Sequence, residues 1–177
     1  MAKAELHEAP CFPPIVSRSP CKLILGTAPG VKSLAEQQYY AHPQNSFWRI
    51  LGRLFNMPVV TYNQRIAVIK KNALALWDVF ESCERHGSLD AKIDPATVQM
   101  NYFSAFFKKY PKITGVFFNG ATAEKEFARR VWPQLPPTVR ARLTCRRLPS
   151  TSPAHAGMTM EKKIKEWSAL LPQARGH

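Results

Sequence analysis

Four short runs that read as strands constrain the fold more than any other feature of this chain. They are Cys21-Lys-Leu-Ile-Leu-Gly26, Ala73-Leu-Ala-Leu-Trp-Asp-Val-Phe80, Ile113-Thr-Gly-Val-Phe-Phe118 and Leu143-Thr-Cys-Arg-Arg-Leu148. Each has strand length, and the first and third are closed by glycine or Asn-Gly. Between them lie segments with helical character. Ser46 is placed to cap a helix to about Asn56, with Phe47, Ile50, Leu51 and Leu54 on one face. Asn63 reads as the cap of a second helix to about Asn72, carrying Ile66, Ile69 and the Lys70-Lys71 pair. Val98, Tyr102, Phe106 and Tyr110 recur every four residues, which predicts a third. Further helices are expected from about Thr122 to Val131 and from about Thr159 to Leu171. Strands alternating with helices imply an α/β fold, a parallel sheet sandwiched between helical layers.

Residues 1–20, with Pro10, Pro13, Pro14 and Pro20, read as an extended, poorly ordered lead-in. Residues 21–177 then form one domain, and 177 residues suffice for a substantial core. Hydrophobic content of 45% and a mean hydropathy of −0.25 fit a soluble globular protein. No apolar run of about 18 residues is present, and the N-terminus lacks the apolar stretch of a secretion signal. A cytoplasmic or nucleoid-associated location is therefore expected.

With 25 basic against 12 acidic residues the net charge is +13, and the pI is near 9.9. Such a surplus favours encounter with phosphate backbones and makes nucleic acid the expected partner; solubility alone is the plainer alternative. Cys11, Cys21, Cys83 and Cys145 form no Cys-x-x-Cys pair, and no His lies at zinc-finger spacing. The reading is reduced, buried or inert thiols and no metal site, with distant ligands converging on zinc or an iron–sulfur cluster as the lesser alternative.

Two segments after strands are rich in side chains that a core does not need. The first, Gly26-Thr-Ala-Pro-Gly30, runs on into Gln37-Gln-Tyr-Tyr-Ala-His-Pro-Gln-Asn-Ser-Phe-Trp48, and the second is Leu148-Pro-Ser-Thr-Ser-Pro-Ala-His155. In an open α/β sheet such loops meet at one edge and form the ligand crevice. Gly26-x-x-x-Gly30 is neither a dinucleotide fingerprint nor a P-loop. There is no Gly-x-Ser-x-Gly elbow, no His-Glu-x-x-His and no zinc-deaminase signature. What remains is a rim of Asn45, Phe47, Asp78, Asn119, Ser150, Ser152 and His155. Amides and a carboxylate can read donor and acceptor edges, and Phe47 offers a flat face for stacking. Gly26, Ala28 and Gly30 would let a ligand approach the backbone closely. The set suits an unstacked base.

These two segments, together with Leu76-Trp-Asp-Val79 and Phe118-Asn-Gly-Ala-Thr122, resemble the hypoxanthine-DNA glycosylases of the uracil-DNA glycosylase superfamily, in order from about residue 22 to 170. The resemblance implies a three-layer α/β/α sandwich around a four-stranded parallel sheet. It also implies base flipping and hydrolysis of the N-glycosidic bond in deaminated DNA, without a cofactor. Mismatch-specific relatives carry an Asn between the two glycines of the first motif, and the larger uracil enzymes an Asp nearby. Here that stretch is Thr27-Ala28-Pro29, so by resemblance the water- or base-positioning role passes to Asn45. On the residues alone Asn45 also reads as a turn or cap residue ahead of the Phe47 helix.

Gly26, Thr27, Ala28, Pro29, Gly30, Phe47, Asp78 and Asn119 are then expected to build the base pocket. Ser150, Thr151, Ser152 and His155 are expected to touch the DNA backbone, with Arg140, Arg142, Arg146 and Arg147 supplying charge. Gln37, Gln38, Tyr39, Tyr40 and His42 are expected at the pocket mouth without separate roles. The chain is expected to act as a monomer on DNA, away from membranes. Alternatives stay open: a primarily uracil-directed glycosylase, a non-catalytic binder of damaged or single-stranded DNA, or an enzyme acting on a free nucleotide.

Overall fold

The computed structural model describes residues 9–83 and 93–173. Its main sheet is built on β3 (Lys22–Gly26), a Lys-Leu-Ile-Leu-Gly run with its last four residues buried. That strand lies between two parallel partners, β4 (Leu74–Asp78) and β7 (Gly115–Asn119), and β7 pairs in turn with β8 (Thr144–Leu148). A strand flanked on both edges and covered on both faces needs apolar residues throughout, which is why this run does not alternate with polar positions.

The parallel core thus has four strands, and a fifth closes one edge. β2 (Ile15–Val16) pairs antiparallel with β4, giving the order β2-β4-β3-β7-β8. A second sheet of three strands, β1 (Ala9–Pro10), β5 (Phe80–Cys83) and β6 (Gln99–Met100), leaves the main one beside Val79. The expected second strand, Ala73–Phe80, is therefore two strands in different sheets. Asn101 holds the joint: its Nδ2 donates to the carbonyls of Asp78 and Phe80 at 2.8 and 3.2 Å.

The expectation of a poorly ordered lead-in does not fit the described part of it. Residues 9–20 are extended but tied into both sheets, and Phe12 is buried, with its carbonyl accepting from the Trp77 indole and the Tyr39 hydroxyl. Proline suits an extended strand at a sheet edge, and Pro10 pairs there with Ser82. Residues 1–8 of that segment lie outside the described residues.

Successive side chains of a strand point to opposite faces, and the core divides accordingly. Leu23, Leu25, Ala75, Trp77, Val116 and Phe118 face a helical layer of α4 (Phe103–Lys109), α5 (Ala121–Glu126) with the π-turn Phe127–Val131, and α6 (Pro137–Arg142). Ile24, Leu74, Leu76 and Phe117 face α2 (Phe47–Leu54), α3 (Tyr62–Lys71) and α7 (Met160–Trp167). This is the α/β/α sandwich.

Local chemistry sets the helix ends. α3 is capped by Thr61, two residues before the expected Asn63, because Thr61 and Gln64 form a reciprocal capping box. α4 is shorter than the four-residue recurrence predicts: Gln99–Met100 are drawn into the small sheet, and Tyr102 stands exposed at the helix start. A short α1 (Val31–Glu36) interrupts the long segment after β3, ended by Gln37 in the left-handed region. It follows Pro29-Gly30, which carried no helical periodicity.

Candidate active site

Gly26, Asp78, Asn119 and Leu148 stand at the carboxyl ends of the parallel strands, with Gly26 opposite Asp78 and Asn119 opposite Leu148. A cavity of about 440 Å³ opens at this edge. Gly26, Thr27, Ala28, Pro29 and Gly30 form one wall, and Ser150 to His155 form the other, with Tyr39, Tyr40, His42, Asn45, Asp78 and Asn119 between. Gln37 and Gln38 are not part of the lining.

The floor explains the first glycine. A Cβ added to Gly26 would fall 2.6 Å from Asp78 Oδ1 and 2.6 Å from the Tyr40 hydroxyl oxygen. A carboxylate and a phenol thus converge above a residue that has no side chain to keep them apart. Asp78 is only 3% exposed. Its field reaches the neighbouring Tyr39, whose phenol is pushed far above its ordinary pKa, first by burial and then by the negative charge of Asp78.

Tyr40 supplies the aromatic face. Its backbone is left-handed (φ 52°), a conformation that a bulky residue rarely adopts. This turns the ring onto Phe47, stacked at 4.0 Å and 22°. The expectation that Phe47 itself offers a stacking surface is corrected here: Phe47 is fully buried, lies behind Tyr40, and meets Trp48 and Trp167 edge-on. Helical periodicity marked Phe47 as core, and that reading prevails.

Asn45 is half-buried on the turn before α2. Its Oδ1 accepts the Phe47 backbone N–H at 3.0 Å, and its own N–H donates to the His42 carbonyl at 2.9 Å. Because an N–H needs an acceptor, this bond fixes which end of the amide is oxygen. The Nδ2 end has no protein partner among the described residues, so the amide holds two N–H donors in reserve at the cavity wall. Turn residue and site residue are the same group.

Asn119 is differently placed. Its Nδ2 donates to Thr151 Oγ1 and its Oδ1 accepts from Thr151 N, both at 2.9 Å. The amide expected to read a base is thus engaged with the opposite loop. Thr151 is corrected in turn: at 1% exposure, with its hydroxyl bound to Asn119, it is unavailable to a phosphate. Its carbonyl accepts from Ser46 N and Ser46 Oγ at 3.0 and 3.2 Å. Ser150 Oγ and Ser152 Oγ accept the N–H groups of Ser152 and Ala154, shaping the loop locally, while Pro153, Ala154 and His155 stand exposed at its tip.

Two anchors of this loop had no signal in its own sequence. The Trp167 indole donates to the Pro149 carbonyl at 2.9 Å, and the buried Lys163 ammonium donates to the His155 carbonyl at 2.9 Å. Burial lowers the Lys163 pKa. The arginines leading into the loop are partly committed too. Arg142 binds the Phe107 and Ile113 carbonyls, and Arg146 and Arg147 pair with Glu166 and Glu124 in exposed ion pairs. Among the described residues no helix is long and apolar enough to cross a membrane, and no three His, Cys, Asp or Glu side chains gather as a metal site.

The family model described as the uracil DNA glycosylase superfamily matches residues 13–173. A hypoxanthine DNA glycosylase of Methanosarcina barkeri is 39% identical over 111 residues, covering 62% of this chain and 69% of the relative. A hypoxanthine DNA glycosylase of Methanosarcina acetivorans is 37% identical over 114 residues, covering 63% and 71%. Among solved structures, an NMR structure of a Methanosarcina acetivorans protein provisionally assigned as a uracil DNA glycosylase superposes with a TM-score of 0.72 at 31% identity, covering 90% of this chain and 94% of that one.

Proposed function

We propose an activity from one premise: the chain belongs to the uracil DNA glycosylase superfamily. It is a DNA glycosylase acting on deaminated bases. Hypoxanthine is its first substrate, water is the attacking group, and the product is an abasic site. The protein works as a monomer on duplex DNA in the cytoplasm or nucleoid, and its +13 charge gives it a salt-dependent hold on the phosphates.

The observation that carries this reading is the juxtaposition in one cavity of a buried carboxylate, Asp78, and an amide with spare donors, Asn45. Deamination of adenine turns ring nitrogen N1 from an acceptor into an N–H donor. An ionised carboxylate only accepts, so Asp78 matches hypoxanthine at a position where adenine would bring a lone pair against it. About 440 Å³ accommodates one extruded purine. Tyr40 lends its ring face, and the Gly26–Gly30 backbone borders the sugar.

The glycosidic bond then breaks toward an oxocarbenium-like state. Negative charge grows on the departing purine, and the Asn45 Nδ2 donors stabilise it, an effect worth about 3 kcal/mol for one well-placed donor. Water adds its hydroxyl to C1′, and its proton ends on the released base. Lys32, the lysine at the cavity, pairs with Glu36 at 2.7 Å and is half exposed, unlike the desolvated amine that a Schiff-base mechanism needs.

A second substrate, uracil, is favoured by the family match and by its ring N3–H, which Asp78 would accept equally. Matched duplexes carrying deoxyinosine or deoxyuridine, treated with enzyme and then alkali, test both. Strand scission at deoxyinosine is expected to be faster. Lesion binding with no release of free base at any enzyme concentration would refute the enzyme reading and leave a binder of damaged DNA.

A further inference from the structure

Thr151 joins the two loops that close the cavity. Its side chain and N–H are clamped by the Asn119 amide at the end of β7, and its carbonyl holds both the N–H and the hydroxyl of Ser46. Ser46 directly follows Asn45. A second link runs in parallel: Trp167 donates its indole N–H to the Pro149 carbonyl and meets the ring of Phe47 edge-on at 5.6 Å, while the Phe47 N–H holds Asn45 Oδ1. The chain from Pro149 to Thr151 and the chain from Asn45 to Phe47 are thus fastened to each other at both ends of a short closed ring of contacts. By contrast, Pro153, Ala154 and His155 at the loop tip are exposed.

We infer that Thr151 is a positioning residue: through Ser46 it sets the Asn45 amide according to where the 150–155 loop sits, so that seating of the loop tip on DNA aligns the donor for the leaving base. The inference rests on the proposed glycosylase reading for what aligns, but the coupling itself is a property of the hydrogen bonds. Thr151 is buried, so it acts through its protein partners. A displacement of the loop cannot leave the Asn45 turn behind without giving up two hydrogen bonds to one carbonyl, and buried groups stripped of partners are costly. Asn119, at the end of the rigid sheet, limits the seating to one register. Such a device would couple duplex engagement to base release, because a loop held off its DNA would hold Asn45 off its target.

The test is a double-mutant cycle on the full chain. Thr151→Val keeps shape and removes the hydroxyl that Asn119 clamps; Thr151→Ser keeps it. Single-turnover release of hypoxanthine from a deoxyinosine duplex is measured alongside the dissociation constant of that duplex. Thr151→Val is expected to slow release about tenfold or more with affinity changed less than about threefold, and Thr151→Ser to restore it. In an Asn45→Ala background Thr151→Val should add little. Equal losses in both backgrounds, or a loss of affinity in place of rate, would overturn the inference.

Ser46→Ala, which removes one of the two bonds from the other side, should reproduce the pattern if the valine variant fails to fold. A second readout does not depend on turnover. The Asn45 side-chain N–H₂ signal in a ¹⁵N spectrum should shift when a duplex with a tetrahydrofuran abasic analogue is added to the wild type, and shift less in Thr151→Val. An identical shift in both proteins would sink the coupling, whereas absence of base release by the wild type would sink the glycosylase reading alone.

Discussion

Asn45→Asp separates two roles that alanine would remove together. In the structure Oδ1 accepts the Phe47 N–H at 3.0 Å and caps the turn, while Nδ2 keeps its donors on a residue that lines the cavity. Aspartate keeps an oxygen for Phe47 and so keeps the cap; alanine would forfeit it, at a cost of about 1 kcal/mol. Stability of Asn45→Asp should stay within about 0.5 kcal/mol of wild type, as expected where no cap or packing is lost. What aspartate loses is both N–H donors, and it adds negative charge where the leaving purine is gaining its own. One donor of this kind is worth about 3 kcal/mol in the barrier, so base release should fall about 10²-fold or further. The assay is single-turnover cleavage of a deoxyinosine duplex with thermal melting of the same protein. If Asn45→Asp is as fast as wild type or faster, Asn45 works through its oxygen on the attacking water, and the donor argument fails.

Gly26→Ala should cost about 1–3 kcal/mol of stability, as overpacking does, because its Cβ would lie 2.6 Å from both Asp78 Oδ1 and the Tyr40 hydroxyl. Urea melts measure this, and base release should fall more than DNA affinity. Thr61→Ala breaks the capping box of α3 far from the cavity; it should lower stability by about 1 kcal/mol and leave turnover unchanged. Tyr39 has a raised folded-state pKa, so above the ordinary phenol value the unfolded chain releases a proton that the fold retains, and stability should decline as pH rises past about 10. The urea midpoint followed from pH 8 to 11 should fall less steeply in Tyr39→Phe than in wild type.

The strands were legible because a central parallel strand must be apolar at every position, and Leu23 to Leu25, Leu74 to Trp77 and Val116 to Phe118 are. The helix starting at Ser46 was legible for the same kind of reason, since Phe47, Ile50 and Leu51 share one buried face. Elements fixed by distant partners were not. Ile15-Val16 becomes a strand because β4 offers it an edge, and Val79 breaks a run of apolar residues because Asn101 reaches across from elsewhere. At the cavity, Asp78 and Asn45 could be named from residue type and position after a strand or before a helix. Which of Tyr40 and Phe47 would face the cavity was not legible, because it turns on one left-handed backbone angle. Nor could Thr151 be distinguished from Ser150 or Ser152, since the burial that disqualifies it as a phosphate contact comes from Asn119 and Ser46.

The joint where the chain passes from one sheet to the other has a bearing on selectivity. Asn101 bonds the carbonyls on either side of Val79, and the Val79 N–H donates to the Gly26 carbonyl at 2.9 Å. The two backbones at the cavity floor are therefore tied together by one main-chain bond and one side-chain amide. A platform tied together in this way has its ordering cost met during folding and not on binding. In the proposed glycosylase reading, a base that does not match this floor gains nothing from a rearrangement of it.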